Sequence, residues 1–296
     1  GPFVEAVDKM REFYRTKQLD LFKDGLSLPG LSNKYLFNTI TDGSTFGLCD
    51  EENKDIFTLL QNSQVGGPSI VFNRYQERDK TKIKNNKTTK KIVGYDANSL
   101  YPWSMSQNMP TGMCKRYKPT ESIEYYTKQI QKNKLFGFVQ VDIHTPQHLK
   151  SKYDEFPMIF KNTEIKHSDL NDEMKKYKPE NWKTRSLISS HFGNKILLYT
   201  PLLKFYLDKG LKITKIYQIL EYEPKKCFST FVDECCDARR AGDEDENKAI
   251  IAESAKLLMN SAFGRTILNK SKFQQTRYMY EKARYVRVST IGFSRT

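Results

Sequence analysis

The segment Lys91-Ile92-Val93-Gly94-Tyr95-Asp96 ends an apolar run on a carboxylate and passes at once into Ala97-Asn98-Ser99-Leu100-Tyr101-Pro102. No other stretch of the chain restricts the fold as much. Ile92, Val93 and Tyr95 suit a buried strand, and Asn98 to Pro102 suit a turn. A carboxylate at the end of such a strand loses its water, which is costly unless a cation stands beside it. The pattern therefore directs Asp96 toward a metal ion or a basic partner. The plainer reading of the same letters is a strand-capping aspartate.

A second segment far downstream, Lys256-Leu257-Leu258-Met259-Asn260-Ser261-Ala262-Phe263-Gly264, has helical spacing. Lys256 and Asn260 are four apart and share a face, with Phe263 a turn further along. A point charge, an amide donor and a flat ring suit a magnesium-bound triphosphate and its base. An amphipathic helix with a glycine C-cap accounts for the spacing without any ligand. Residues 228–264 as a whole read as a helical hairpin, with Phe228, Phe231, Val232 and Cys235 on the apolar side of its first helix. Gly242 is expected to begin the turn. Asp243, Glu244, Asp245 and Glu246 are expected at the start of the second helix, where acids complement the positive helix end, so this run is a helix-start device rather than a metal site. Lys248, Ala252, Lys256 and Asn260 recur every four residues. Lys248 lies about 12 Å along the axis from Lys256 and extends a basic stripe toward the hairpin tip, joined by Arg239 or Arg240 from the facing helix.

The 296 residues suffice for one large domain or two. Lys and Arg number 49 against 35 acids, a formal net charge of +14 with a pI near 9.3, which favours polyanions. Five cysteines, two of them adjacent, make neither a disulfide framework nor a zinc motif and suit a reduced, intracellular protein, in nucleus or cytoplasm. Pro146 between His144 and His148 argues against a shared helical face for them, so a histidine metal site is not expected. No apolar stretch is long enough to span a membrane, and no secretory signal is visible. Residues 3–25 have helical periodicity that Leu28-Pro29-Gly30-Leu31 breaks. Gln64 to Pro68 is a turn before a strand at Ser69–Phe72. Arg78–Lys91, with seven basic residues, is an exposed loop, as apt for a solvated hairpin tip as for a phosphate contact or a nuclear-import signal. Strands are expected at Phe136–Ile143, Ile196–Tyr199 and Ile213–Glu221, and a helix at Pro201–Asp208 stopped by Gly210.

The string Asp-Ala-Asn-Ser-Leu-Tyr-Pro at 96–102 resembles the first polymerase motif of family B DNA polymerases, and residues 256–264 resemble the second, Lys-x-x-x-Asn-Ser-x-Tyr-Gly, in the family's order. The resemblance covers roughly residues 60–265. It implies an α+β right-hand architecture: an antiparallel palm sheet carrying the carboxylates, a helical-hairpin fingers subdomain, and an insertion between the two motifs. The expected division is 1–60 as an N-terminal helical segment leading from an exonuclease region, 61–104 as palm with the first motif, and 105–195 as the insertion. Residues 196–227 would return to the palm, 228–264 form the fingers hairpin, and 265–296 begin a further palm segment. The short fingers and the distance between motifs resemble the protein-primed branch of viruses and Polinton/Maverick-type transposons, whose insertion touches the priming protein and encircles DNA.

Carried onto this chain, the resemblance makes Asp96 the catalytic residue and metal ligand for two Mg2+ ions, with Mn2+ as a substitute. Ala97, Asn98 and Ser99 would lie beside the triphosphate, Leu100 would support the turn, and Tyr101 would pack under the deoxyribose and exclude a 2′-hydroxyl. Lys256 and Asn260 would bind the triphosphate, with Lys248, Arg239 and Arg240 as further partners. Phe263 replaces the family's tyrosine beside Gly264 at the template or primer, keeping the ring and losing the hydroxyl. Gly66-Gly67 resembles the Tyr-x-Gly-Gly element that tracks the single strand, without its tyrosine. The implied partners are primer–template DNA, deoxynucleoside triphosphates and a terminal priming protein, with no membrane. One departure matters. In-line phosphoryl transfer needs two metals clamped by at least two carboxylates, yet residues 261–296 contain no aspartate and Glu281 as their one acid. The chain is thus expected to be an inactive piece of a larger polymerase; a catalytically dead module that binds DNA or the priming protein is the alternative.

Overall fold

The computed structural model describes residues 1–25, 27–47, 52–83, 86–97 and 99–269. In chain order the helices and strands begin with α1 (Pro2–Thr16), α2 (Leu28–Asn38), α3 (Lys54–Asn62), α4 (Leu100–Met105), β1 (Met109–Tyr117), α5 (Ile123–Gln131), β2 (Gly137–His144) and α6 (Gln147–Lys150). They continue with β3 (Ile159–Lys166), α7 (Asp172–Lys175), β4 (Lys183–Ser190), β5 (Phe192–Tyr199), α8 (Thr200–Asp208), β6 (Lys212–Lys225), α9 (Ser229–Glu244) and α10 (Ala249–Thr266). The chain divides into two units, one of residues 39–232 and one combining 1–38 with the segment from Asp233 onward.

The first of these is built on a four-stranded antiparallel sheet in the order β1-β6-β2-β5. Alternation in β2 sends Val139, Val141 and Ile143 to one face, where they pack with Tyr126 and Ile130 of α5, Leu203 and Tyr206 of α8, and Ile216 and Ile219 of β6. On the opposite face Ile56 of α3 packs with Leu197 and Leu220. Gly137 enters β2 at φ +136°, and a Cβ there would stand 2.1 Å from the Leu220 carbonyl oxygen, so only glycine lets the two backbones approach. Gly210, at φ +89°, ends α8 as the sequence requires. Separate from this sheet, β3 and β4 form a two-stranded antiparallel ribbon.

The helical unit packs α2 and α1 against α10. Ser254, Ala255, Leu258, Met259 and Ala262 form the buried stripe of α10, and Tyr14, Leu31, Tyr35, Leu36 and Cys235 are buried with little exposure. Glu234 fastens the N-terminal segment to α9: its carboxylate accepts from Lys17 Nζ at 2.8 Å and from the Tyr35 hydroxyl. Burial alone would favour the neutral acid, but the bonds from Lys17 and Tyr35 and the lysine charge outweigh it and hold the Glu234 carboxyl below its ordinary range.

Several expectations need correction. Residues 92–96 form no strand: Ile92, Val93 and Tyr95 are 69%, 52% and 95% exposed, because no described strand offers the segment a ladder partner or a core. Ser69–Phe72 is likewise irregular and exposed. The first helix ends at Thr16, where Gln18 turns to φ +57°, and Leu28-Pro29 starts α2 because proline is compatible with a helix's first turn. Gly242 lies within α9 rather than in the turn, where a Cβ would come within 2.3 Å of Ala252 Cβ; it permits close approach of the two helices. Asp243 and Glu244 therefore end α9, and α10 has no acid in its first turn. The range 105–195 does not fold apart from 196–227, since β1 and β2 pair with β6 and position 195 falls inside β5.

Candidate nucleotide and nucleic-acid site

Burying 254, 255, 258, 259 and 262 leaves the opposite side of α10 to solvent, and Lys256, Asn260 and Gly264 occupy it, with Phe263 half-buried. The expected row is therefore presented by a helix held from behind. Lys256 Nζ lies 3.4 Å from Glu253 Oε1 in an exposed pair of the kind that contributes little, so the ammonium remains available to a stronger anion. The Asn260 side chain makes no hydrogen bond among the described residues. A Cβ on Gly264 would meet nothing within 4 Å, so no neighbour within the chain requires glycine there.

The tip is less uniform. Lys248, at the N-cap of α10, is exposed and 3.9 Å from Asp245. Asp245 also receives the Asn247 N–H at 3.0 Å, which shapes the short 3-10 turn Glu246–Lys248 between the helices. Arg240 is exposed and paired with Asp237, whereas Arg239 is half-buried and three residues before Gly242, on the flank of α9 nearer α10. Arg239 is thus the better placed of the two.

The first motif lies in the sheet unit. Asp96 and Ala97 are exposed in irregular chain, and the Asp96 carboxylate has no partner among the described residues. Asn98 falls outside those residues. Ser99 adopts φ +54° and caps α4, so the expected turn is a left-handed residue followed by a short helix. Pro102 and Met105 bury one side of α4, leaving Leu100 and Tyr101 half in solvent on the other. Gly66 and Gly67 are exposed, and a Cβ at either would meet no atom within 4 Å. The motif residues thus fall into two groups. Asp96, Ala97, Ser99, Leu100, Tyr101, Gly66 and Gly67 belong to the sheet unit, and Arg239, Arg240, Lys248, Lys256, Asn260, Phe263 and Gly264 to the helical unit.

A pair of magnesium ions would need more acid than this. Among the described residues no three His, Cys, Asp or Glu side chains are placed to hold a metal ion, and Asp142 spends its oxygens on the Lys195 N–H at 2.6 Å and the Tyr217 hydroxyl at 3.0 Å. Asp96 fits one ligand position. The described residues alone do not fit a two-ion site, and no step of a reaction can be routed through them. Glu281 and the palm segment expected from 265 lie, from residue 270 onward, outside the described residues.

The family described as DNA polymerase type B, organellar and viral, matches residues 78–288, a span that includes both motifs. The chain belongs to the type B DNA polymerases. Among solved structures, Phi29 DNA polymerase in an orthorhombic crystal form matches with a TM-score of 0.51 at 15% identity, over 84% of this chain and 38% of that one. Phi29 DNA polymerase complexed with primer-template DNA gives a TM-score of 0.49 at 15% identity, over 88% and 38% of the two chains. At such identity the likeness concerns the fold, an α+β arrangement of mixed helix and antiparallel sheet, and the type B chain spans 38% of the Phi29 chain's length. No curated protein matches it by sequence. No helix among the described residues is long and apolar enough to cross a membrane.

Proposed function

We propose that this chain is the nucleotide-gripping and primer-facing part of a DNA-templated DNA polymerase of the protein-primed branch. The observation that carries the proposal is the exposed row Lys256–Asn260–Gly264 on a helix whose other side is buried. Lys256 neutralises the triphosphate, Asn260 donates an amide hydrogen to it, and Phe263 supports the base. Lys248 and Arg239 extend the positive surface, with Arg240 outside it unless its pair with Asp237 opens. Asp96 contributes one carboxylate toward a divalent ion, whose role when bound is to neutralise charge developing on the phosphates. Tyr101, half-exposed five residues further along, supplies the ring that meets the sugar and disfavours a 2′-hydroxyl. Primer–template DNA, deoxynucleoside triphosphates and a terminal priming protein are the partners this reading assigns.

With one such carboxylate among the described residues, the expected ion pair is poorly neutralised, and on this reading the isolated chain grips nucleotide without extending a primer. Equilibrium binding of a deoxynucleoside triphosphate with magnesium tests this. Lys256→Ala should weaken binding about ten-fold or more, the loss expected for a charge-assisted contact. Unchanged affinity in that variant contradicts the assignment.

A further inference from the structure

The two helices of the hairpin are held differently at their two ends. At the tip, Gly242 of α9 meets Ala252 of α10, so close that a Cβ on the glycine would stand 2.3 Å from the alanine Cβ. Away from the tip, α9 and α10 share no extended contact among the described residues. The N-terminal segment bridges them instead. On one side α2 packs along α10. On the other, Glu234 Oε2 of α9 accepts from the Tyr35 hydroxyl of α2 and, at 2.8 Å, from Nζ of Lys17, the residue that ends α1.

Exposed ion pairs contribute little, but this tie is of another kind. The Lys17 and Glu234 side chains are 22% and 35% exposed and stand 217 residues apart in the chain, so the bond joins distant segments where water screens it less. Tyr35 is buried, and that burial together with the bond to Glu234 pushes its phenol above the ordinary value, so it stays a donor. Lys17 Nζ also lies 5.9 Å from the Tyr35 ring centroid, and the two side chains support each other as they reach the carboxylate. The buried Tyr14 hydroxyl has no partner among the described residues and supplies no second polar tie.

We infer that Lys17 and Tyr35 are positioning residues for nucleotide grip: by holding Glu234 they fix α9 relative to α10, and so set Arg239 toward the row Lys256–Asn260. The distances along α9 supply the leverage. Glu234 lies eight residues from Gly242, about 12 Å along the axis, and Arg239 lies three residues from it, about 4.5 Å. With the tip as pivot, about 3 Å of drift at Glu234 becomes roughly 1 Å at Arg239, enough to lose hydrogen-bond distance to a phosphate oxygen. Lys256 escapes this movement, because α2 backs α10 whether or not Glu234 is held. The inference rests on the nucleotide reading above, and neither Lys17 nor Tyr35 belongs to the two motifs that carry that reading.

The test pairs amide hydrogen exchange with triphosphate binding, both on the full chain. Lys17→Met combined with Tyr35→Phe removes the two donors and keeps their apolar bodies. Amides of α9 should then exchange about ten-fold faster or more, while those of α10 keep wild-type protection. Arg239→Ala should weaken deoxynucleoside triphosphate binding about five-fold in the wild-type chain. In the double variant the same change should cost less than about two-fold, because the arginine is already displaced. Lys256→Ala should keep its full effect in both backgrounds, and Lys17→Arg should preserve wild-type affinity. Unchanged exchange in α9 overturns the inference, as does faster exchange of equal size in both helices, which reports a general loss of stability. An Arg239→Ala effect that is the same in the two backgrounds overturns it as well. If Lys256→Ala still weakens binding alongside any of these failures, the nucleotide reading stands; no triphosphate binding by the wild-type chain removes that reading and this inference together.

Discussion

Replacing Gly264 with alanine separates what α10 needs as a helix from what it does for a ligand. Glycine inside a helix is less favourable than alanine by about 0.8–1.0 kcal/mol, and Gly264 stands two residues before the last helical position, Thr266, where fraying reduces the gain. A Cβ there would meet no atom within 4 Å, so no clash offsets it. The substitution should stabilise the chain by roughly 0.5–1 kcal/mol, or about 1–4 °C for a domain of this size. The same methyl projects from the face that carries Lys256 and Asn260, where DNA or nucleotide is proposed to approach closely. Thermal unfolding should therefore shift upward while primer–template affinity falls. A variant that is more stable and binds equally well would show that Gly264 borders no ligand; a destabilised variant would refute the packing argument itself.

Two further substitutions test the scaffold. Gly137→Ala places a methyl against the Leu220 carbonyl at a φ that alanine avoids, and should cost about 3 kcal/mol or more in denaturant unfolding; a loss below about 1 kcal/mol would mean that the β2–β6 contact yields easily. Glu234 has a carboxyl pKa held below its unfolded value, so its contribution is present above the unfolded pKa and disappears as pH falls through the folded one. Glu234→Gln should accordingly flatten the acid limb of the melting temperature below about pH 4, and an unaltered acid limb would assign that loss to other carboxylates.

The hairpin at 228–264 was legible because each helix carries its own apolar stripe, and β2, α8 with Gly210, and β6 were legible because period and stop signals are local. Ile92-Val93-Gly94-Tyr95 misled for the opposite reason: an apolar run specifies a strand only if another strand receives it, and pairing is not written in the run. Gly242 was misread because glycine at a helix crossing and glycine in a turn look alike until the facing residue, Ala252, is known. The motif residues could be found from spacing along the chain. Lys17, Tyr35 and Glu234 could not, because the helical unit brings them together from segments with no shared pattern.

The central claim is that the exposed Lys256 face of α10 grips the nucleotide. Photo-cross-linking an azido-substituted deoxynucleoside triphosphate to the chain, followed by peptide mapping, tests it most directly. The account predicts label within 256–264 and its loss in Lys256→Ala. Label found only outside 256–264, or unchanged in that variant, would contradict it.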